Sequence, residues 1–205
     1  METSQAIRTR RSIRAYKKKK LPDEVLYTIL ESARWAPSAG NLQPWRIIVV
    51  ESQPVKEMLA DASDEQGFIA KAPVVLVVCS DTTACKKEYE GLGEKFCTQS
   101  TATAIQNILV TAHSLGVGAA WVGSFAEAKI RKELKIPDSV TIDAIIPLGY
   151  PDEKPIRKST VEMADYVYFE KYGASGRGES IFPINEQVQK IKKGLKEFAG
   201  KLKNK

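Results

Sequence analysis

The apolar runs of this 205-residue chain are short, and their length constrains its fold more than any other feature. The longest runs, such as residues 47–50 and 74–79, match β-strands and fall far below the roughly 20 residues of a membrane-spanning helix. Helical patterns lie between these runs, and no Gly/Ser/Pro-rich linker divides the chain. We therefore predict a single α+β domain over residues 1–205, without a membrane span.

Strand and helix patterns alternate along this domain. Apolar runs predict strands over residues 45–50, 74–80, 119–123 and 140–148, with a further short strand over 161–169. Apolar residues at helical spacing predict helices over residues 22–33, 53–62, 98–115 and 185–198. Ser124 and Glu127 have the spacing of a capping box, which predicts one more helix directly after the strand at 119–123. Buried strands of this kind need helical cover, and we expect helices to flank the sheet.

The last predicted helix has a basic, amphipathic pattern. Its apolar stripe is formed by Val188, Ile191, Leu195 and Phe198. We interpret residues 183–205 as a basic helical arm that packs on another subunit. The alternative is an ordinary surface helix on its own domain.

Positive charge is concentrated at both ends of the chain. Residues 1–20 contain four arginines and four lysines against one acid, and residues 183–205 contain seven lysines against two acids, although the net charge is only +6. Neither end interleaves aromatic residues with its cations or matches a nucleic-acid-binding module, so no nucleic-acid partner is predicted. The run Lys17–Lys20 matches no ligand motif and is interpreted as a solvated charge run.

Metal-dependent, ATP-binding and α/β-hydrolase chemistry find no support in the sequence. Cys79, Cys85 and Cys97 form no C-x-x-C pair and are odd in number, which is typical of reduced thiols in a reducing compartment. His113, the single histidine, lies in an apolar helical stretch and is interpreted as a packed side chain. P-loop, nucleophile-elbow and zincin signatures are missing, and the N-terminus lacks the pattern of a secretory signal. We expect a cytoplasmic protein without a metal ion.

Five residues near the N-terminus combine three guanidinium groups with a hydroxyl. The segment reads Arg10-Arg11-Ser12-Ile13-Arg14. Arginine binds phosphate bidentately and keeps its charge, and the Ser12 hydroxyl can donate to a remaining phosphate oxygen. In an extended stretch, Arg10, Ser12 and Arg14 would share one face. Two interpretations stay open, a phosphate site and a solvated basic arm.

A loop rich in helix breakers follows the first long predicted helix and ends on the strand at residue 45. It reads Ala36-Pro37-Ser38-Ala39-Gly40-Asn41-Leu42-Gln43-Pro44-Trp45. Gly40 permits close approach of a backbone, while the hydroxyl of Ser38 and the amides of Asn41 and Gln43 can bind hydroxyls or ring heteroatoms. The loop is interpreted as a ligand wall or as a structural turn.

These two segments, in this order, resemble the nitroreductase family of FMN-dependent oxidoreductases. The pattern R-R-S-x-R, followed after one helix by A-P-S-x-x-N-x-Q-P-W, carries the resemblance. Further segments extend it over residues 5–172: Gln66 before Ala72-Pro73-Val74-Val75, then Ala104-Ile105-Gln106-Asn107, Gly116-Val117-Gly118-Ala119-Ala120-Trp121-Val122-Gly123, Leu148-Gly149-Tyr150-Pro151 and Arg157-Lys158.

The resemblance implies a nitroreductase-like α+β fold, with a central, mostly antiparallel sheet flanked by helices. It also implies an intertwined homodimer with exchanged arms and FMN at the subunit interface. NADH or NADPH would be the electron donor, and a small molecule would be the acceptor.

The resemblance also implies roles for individual residues. Arg10, Arg11, Ser12 and Arg157 would hold the phosphate and the ribityl chain, and Arg14 would approach the pyrimidine edge of the flavin. Gln66 would hydrogen-bond the flavin ring. Residues from the other subunit would cover the flavin: Pro37, Ser38, Ala39, Gly40 and Asn41. The other side of the ring would be lined by Trp121, Val122 and Gly123.

The implied activity is hydride transfer through flavin N5 in ping-pong turnover, first from NAD(P)H and then to an acceptor such as a nitroaromatic or a quinone. Because the chemistry lies on the flavin, no catalytic side chain is predicted. The alternatives are a reductive dehalogenase, a flavin-degrading enzyme, or an FMN carrier or sensor without turnover. Ser100 stands where the family commonly has an acid. Residues 82–96 lie where the family varies its lid, and we expect this segment to select the acceptor.

Overall fold

The computed structural model describes residues 1–156 and 159–174. Residues 1–157 and 158–205 form two compact units, and each is described by itself. Arg157 and the predicted arm over 183–205, with its helix at 185–198, lie outside the described residues. The single-domain organisation stays a prediction.

The first unit is built on a four-stranded sheet in which all neighbouring strands are antiparallel. The strands are β1 (Trp45–Val50), β2 (Val74–Asp81), β3 (Gly118–Ala119) and β4 (Val140–Gly149), in the order β1-β2-β4-β3. Residue Ile48 of β1 pairs with Val77 of β2, and Val75 of β2 pairs with Pro147 of β4. The β2–β4 register shifts between Val78 and Cys79, which marks a β-bulge.

Seven helices accompany the sheet in this unit. They are α1 (Thr3–Thr9), α2 (Asp23–Ser32), α3 (Gln53–Asp61), α4 (Phe68–Lys71), α5 (Thr82–Tyr89), α6 (Gly93–Ser114) and α7 (Glu127–Leu134). Short 3₁₀ turns cover Ala33–Trp35, Ala39–Asn41 and Glu90–Leu92. No helix among the described residues has both the length and the apolar character that crossing a membrane requires.

Helices cover both faces of the sheet. Because the side chains of a strand alternate between the two faces, each central strand contributes to two hydrophobic clusters. On one face, Leu76 and Ile146 pack in a cluster with Ile105 and Ile108 of α6. On the other face, Val77 and Ile145 belong to a second cluster, formed with residues of α3, α4 and α7: Leu59, Ile69 and Ile130. Residues 74–80 of β2 are all buried, which explains the unbroken apolar run in the sequence. The expected α+β architecture is confirmed.

Several element predictions need correction. Strand β1 was expected to be buried, yet it lies at the sheet edge, where Val49 is 40% exposed. Helix α1 was not predicted. Helix α6 begins at Gly93, five residues before the predicted start at Thr98. A Cβ at Gly93 would lie 2.6 Å from the Cα of Lys86. Helices α5 and α6 can therefore pack this closely only because residue 93 is a glycine.

Two further expectations at turns are wrong. The Ser124 hydroxyl donates to Asp64 Oδ2 at 2.8 Å and does not cap α7, which begins at Glu127. The strand expected at 119–123 is limited to Gly118–Ala119, with a single bridge from Val122 to Ile145.

In the second unit, the segment expected to form a strand at 161–169 contains a 3₁₀ turn at Met163–Asp165. A capping box closes that turn: the Glu162 carboxylate accepts from the Asp165 backbone N–H, and the Asp165 carboxylate accepts from the Glu162 backbone N–H.

Candidate functional site

The arginine segment lies along the sheet edge beside β3. The backbone N–H of Ile13 donates to the Ala119 carbonyl at 2.9 Å, and Ser12 forms a parallel bridge with Ala119. The side chain of Ile13 is only 5% exposed and fills the space beside Gly118, where a Cβ would lie 2.8 Å from it. The backbone from Ser12 to Ile13 is therefore fixed by β3, and the arginines on either side project from an ordered segment.

Arg10 and Arg11 form a region of uncompensated positive charge near the end of α6. Burial and then Arg11 lower the pKa of Arg10. Burial, followed by Arg10 and Arg11, also lowers the pKa of His113, whose Nε2 lies 2.9 Å from the Thr9 hydroxyl. Arg11 donates to the carbonyls of Arg8 and Arg10. Within the described part of the chain, neither guanidinium of the pair has a carboxylate within ion-pair distance. Two adjacent cations of this kind favour an anionic ligand.

Arg14 has different neighbours from Arg10. Its guanidinium lies 5.8 Å from the centroid of the Phe68 ring, at the start of α4. Its backbone N–H, together with that of Ala15, donates to Glu153 Oε1 at 2.5 and 3.1 Å. Glu153 therefore holds the backbone at Arg14, and the Phe68 ring lies beneath the guanidinium.

Gln66 lies in the turn between α3 and α4, two residues before Phe68. Its backbone N–H donates to the Ser63 carbonyl at 3.2 Å. The two residues between them, Asp64 and Glu65, have positive φ angles of 54° and 56°. This turn is joined to the segment after β3 by the Ser124–Asp64 bond and by the Ala126 N–H, which donates to the Ala62 carbonyl at 2.6 Å.

The segment after β3 completes this side of the site. Val122 exchanges backbone hydrogen bonds with Ile145 of β4 at 3.0 and 2.9 Å, while Trp121 is 41% exposed. These contacts connect three segments through β3, β4 and the Gln66 turn: residues 10–14, 66–68 and 121–123. We call these three segments the arginine half-site.

The second predicted segment, residues 37–41, is held against α6. The Ala39 N–H donates to the Ser100 hydroxyl at 3.1 Å, and the Thr103 hydroxyl donates to the Pro37 carbonyl at 2.8 Å. Ser38 Oγ accepts from the Gln43 N–H at 3.1 Å. We call residues 37–41 the loop half-site.

Gly40 brings the loop half-site close to α5. It has a φ of +54°, and a Cβ built there would lie 2.6 Å from the Tyr89 hydroxyl oxygen. Tyr89 packs edge-on against Phe96, with 5.0 Å between ring centroids. The predicted lid region, residues 82–96, is therefore helical where it meets the loop, through α5 and the first turn of α6.

Ser100, an unexplained departure in the sequence, has a structural role. It is 4% exposed, accepts the hydrogen bond from Ala39, and donates to the Phe96 carbonyl at 2.6 Å. A hydroxyl can do both, which an ionised carboxylate cannot. The same residue therefore joins the loop half-site to the α6 backbone.

The loop half-site contacts the middle of α6, and the arginine half-site lies near the C-terminal end of that helix. Ser100 binds the loop half-site, and His113 lies beside Arg10, so 13 residues of α6 separate these contacts. At 1.5 Å per residue this is about 20 Å along the helix axis. The residues expected around one ligand are therefore divided into two groups within a single chain.

Sequence reasoning missed several residues of these half-sites. Phe68, Glu153 and Thr103 contribute through contacts that only the fold creates, and no local pattern marks them. The interpretation of His113 as a packed helical side chain overlooked its bond to Thr9 and its proximity to Arg10.

Comparison with known proteins identifies the family. The family model described as "Nitroreductase family" matches residues 7–66 and 62–150. A relative in Methanothermobacter thermautotrophicus named "Putative NADH dehydrogenase/NAD(P)H nitroreductase" is 36% identical over 176 residues, which cover 84% of this chain and 88% of the relative. The solved structure of an FMN-dependent nitroreductase from Clostridium difficile R20291 is 28% identical, with a TM-score of 0.68, and the match covers 82% of this chain and 99% of that one. An iodotyrosine deiodinase from Thermotoga neapolitana is 26% identical, over 70% of this chain and 86% of the deiodinase.

The chain belongs to the nitroreductase family. This confirms the family expected from the two sequence segments, the nitroreductase-like fold and the oxidoreductase class. The expected cofactor, FMN, and the expected donor, NADH or NADPH, agree with the names of these relatives.

Proposed function

We propose that this protein is an FMN-dependent oxidoreductase that uses NADH or NADPH to reduce small electrophilic acceptors such as nitroaromatics or quinones. The observation that carries the proposal is the arginine half-site, in which an ordered cationic segment, an aromatic ring and a glutamine turn are tied together at one sheet edge. Membership of the nitroreductase family supports the same function.

The charge of the arginine half-site fits the phosphate of FMN. Arg10 and Arg11 lie side by side, and the described residues place no carboxylate within ion-pair distance of either group. Burial and the neighbouring Arg11 lower the pKa of Arg10, so its charge is poorly solvated, and a phosphate dianion bound beside it would stabilise that charge. Ser12 adds a hydroxyl next to this pair. Arg157, which lies outside the described residues, is proposed as a further phosphate ligand.

When bound, FMN supplies the capacity to accept a hydride from one substrate and to pass two electrons to the next. The residues of the chain bind and orient it. Arg14, placed over the ring of Phe68, is proposed to approach the pyrimidine edge and to stabilise negative charge there. Gln66 would donate or accept a hydrogen bond at the ring, and Trp121, Val122 and Gly123 would line one side. The open side would admit donor and acceptor in turn, which gives ping-pong kinetics.

We propose that the complete site forms in a homodimer. The separation of about 20 Å along α6 between the contacts at Ser100 and His113 supports this, because two groups so far apart in one chain are more easily joined around one ligand when a second subunit supplies one of them. Trp35, at 74% exposure, and Ile7, at 56%, are large apolar side chains that a second subunit would cover. In this arrangement, Pro37, Ser38, Ala39, Gly40 and Asn41 of one subunit would cover the flavin held by the arginine half-site of the other.

An absorption spectrum of the purified protein tests the proposal directly. We expect the visible bands of bound flavin, and we expect them to bleach on anaerobic addition of NADH or NADPH. Bands that persist with both donors would indicate a carrier or sensor. A protein that shows no flavin bands after incubation with FMN would refute the proposal.

Acceptor screening separates the remaining alternatives. The similarity to an iodotyrosine deiodinase makes halogenated tyrosine a necessary comparison with nitroaromatics and quinones. We expect higher kcat/KM for the nitroaromatic and quinone acceptors. Preferential release of halide from the halogenated tyrosine would instead favour a dehalogenase, and loss of FMN itself during turnover would favour a flavin-degrading enzyme.

A further inference from the structure

A cavity of about 410 Å³ lies on the first unit, next to the start of β2. Five lysines line it, together with one acid, Glu51, and with Ala72 and Pro73: Lys18, Lys19, Lys20, Lys56 and Lys71. The cavity shares no residue with either half-site. We call it the lysine pocket.

The fold assembles the lysine pocket from three distant parts of the sequence. Tyr16 is 7% exposed, and the Lys17 N–H donates to the Tyr150 carbonyl at 2.9 Å, so the run that follows is held against the body of the unit. Helix α3 supplies Lys56, and α4 ends at Lys71. All four residues of Lys17–Lys20 are exposed, as expected for a solvated charge run, and three of them also line the cavity together with two other lysines.

Lys56 is an unusual member of this group because its side chain is largely buried. The residue is 6% exposed, and its Nζ donates to the Ala72 carbonyl at 2.8 Å. Burial lowers the pKa of this lysine, while Glu51 and Glu57 act in the opposite direction. The bond to the Ala72 carbonyl holds this ammonium in place beside the pocket, where burial makes an unpaired charge costly.

Little negative charge offsets these lysines. Among the described residues, Glu51 is the one acid that lines the pocket, and Glu57 also acts on Lys56 from nearby. Lys20 pairs with Asp23 at 3.6 Å, but both side chains are mostly exposed, so the pair is weak. Lys19 lies 4.6 Å from the centroid of the Tyr150 ring. Considering only the residues that the structure describes, Lys18 and Lys71 make no ion pair within 4.0 Å.

We propose that the lysine pocket binds a compact oligophosphate, a ligand with two or three linked phosphate groups. Five lysines line one cavity, and a ligand with several negative charges would be attracted to that concentration of positive charge. Each terminal phosphate offers three non-bridging acceptor oxygens, and each lysine offers three donors that can reorient to meet them. The volume of the open pocket lies within the usual range of small-molecule sites. These features favour a small oligophosphate over an extended nucleic acid.

Calorimetric titration of the full-length protein tests this assignment. Inorganic triphosphate and inorganic monophosphate are the probes, and excess FMN is present so that the arginine half-site is filled. We expect saturable binding of one triphosphate per chain, and monophosphate binding at least tenfold weaker. Raising the salt concentration should weaken both, because the attraction is between charges.

Two matched double variants locate the binding. Lys18→Ala with Lys71→Ala removes two lining lysines, and we expect triphosphate affinity to fall about a hundredfold, tenfold for each charged contact. Lys17→Ala with Lys132→Ala removes the same charge from exposed positions outside the pocket and should change affinity less than twofold. Arg10→Ala should also leave triphosphate affinity unchanged, which excludes binding at the arginine half-site.

Three results would overturn the assignment. The first is the absence of saturable triphosphate binding by the unmodified protein. The second is an equal loss in both double variants, which would indicate a response to overall charge. The third is binding of single-stranded nucleic acid or anionic lipid vesicles, but not of triphosphate, that the Lys18/Lys71 variant loses. Thermal unfolding of each variant without ligand checks that all of them are folded.

Discussion

The arginine half-site and the loop half-site lie on the same chain but are held in different ways. The first is fixed at a sheet edge by backbone bonds to Ala119 and carries uncompensated positive charge. The second is neutral and is fixed on α6 by two hydroxyls, those of Ser100 and Thr103. We therefore expect the arginine half-site to provide affinity for an anion and the loop half-site to define the shape of the ligand pocket.

This difference predicts that damage to the two half-sites has different consequences. Charge removal in the arginine half-site should affect FMN affinity with little effect on stability. Backbone changes in the loop half-site should affect stability and acceptor binding, since the loop is linked to α5 and α6.

The largest effect is expected from the double variant Arg10→Ala with Arg11→Ala. Each guanidinium contributes a charge-assisted contact to phosphate, so we expect FMN affinity to fall about a hundredfold or more. Quenching of FMN fluorescence during titration measures it. Lys132→Ala, which removes an exposed cation outside both half-sites, is the control and should retain normal affinity. Unchanged FMN affinity in the double variant would remove the basis of the phosphate assignment.

The next effect is expected at Gly40. A Cβ there meets the Tyr89 hydroxyl at 2.6 Å, and the φ of +54° strains any residue with a side chain. We expect Gly40→Ala to lower the free energy of unfolding by about 1–2 kcal/mol and to raise KM for the acceptor. Denaturant unfolding and steady-state kinetics measure the two effects.

Gly91 provides the matched control for Gly40, because a Cβ at that position meets nothing within 4 Å. Gly91→Ala should change stability by less than about 0.5 kcal/mol. Adding Tyr89→Phe to Gly40→Ala should recover the steric part of the loss and leave the part due to φ. Equal stability of the Gly40 and Gly91 variants would show that the loop is not held as described.

A smaller effect is expected from Ser100→Ala, which leaves the Ala39 N–H without its acceptor. The loss of one buried hydrogen bond predicts a stability decrease of about 1 kcal/mol. Thr98→Ala, an exposed change on the same helix, is the control. If Ser100→Ala raises KM for the acceptor without altering FMN affinity, the two half-sites are functionally distinct. A loss of FMN affinity equal to that of the arginine variant would contradict this distinction.

A pH effect is expected at Asp143 of β4, which lies near Cys97 of α6 and Ser80 of β2. Burial is the main cause that raises the pKa of Asp143 from 3.8 to about 6, and Glu127 adds to it. The folded state therefore binds more protons than the unfolded state between these values. Stability should fall as pH rises from about 4 to about 6, by about 1–2 kcal/mol after allowance for partial exposure.

Asp143→Asn removes this titration. The difference in unfolding free energy between wild type and variant should shrink as pH is lowered through 6, and above 6 the variant should be the more stable protein. Denaturant unfolding at several pH values measures this difference. A difference that is independent of pH between 4 and 7 would contradict the raised pKa.

The sequence predicted the elements with strong periodicity and missed those that depend on contacts between distant residues. Strands β1, β2 and β4 and helices α2 and α3 follow the predicted ranges closely. The start of α6 was missed because its five extra residues depend on packing against α5 around Gly93. The Ser124–Glu127 pattern failed as a capping box because Ser124 binds Asp64, 60 residues away in the chain.

The same limit applies to the candidate site. The two segments that resemble the family contain most of the proposed ligands, since those residues are contiguous in sequence. Phe68 under Arg14, Glu153 on the Arg14 backbone and Thr103 on the Pro37 carbonyl come from elsewhere in the chain. Their roles follow from the antiparallel topology and the length of α6, which local patterns do not encode.

Complementation between two damaged subunits tests most directly whether the two half-sites of one flavin site come from different chains. One subunit carries Arg10→Ala with Arg11→Ala, and the other carries Gly40→Val with Asn41→Ala. Each homodimer should be nearly inactive. After mixing and subunit exchange in equal amounts, about half of the dimers are mixed and each has one intact site, so about a quarter of wild-type activity should return. If the mixture stays as inactive as the separate variants, although mass spectrometry shows mixed dimers, the two half-sites do not combine across subunits.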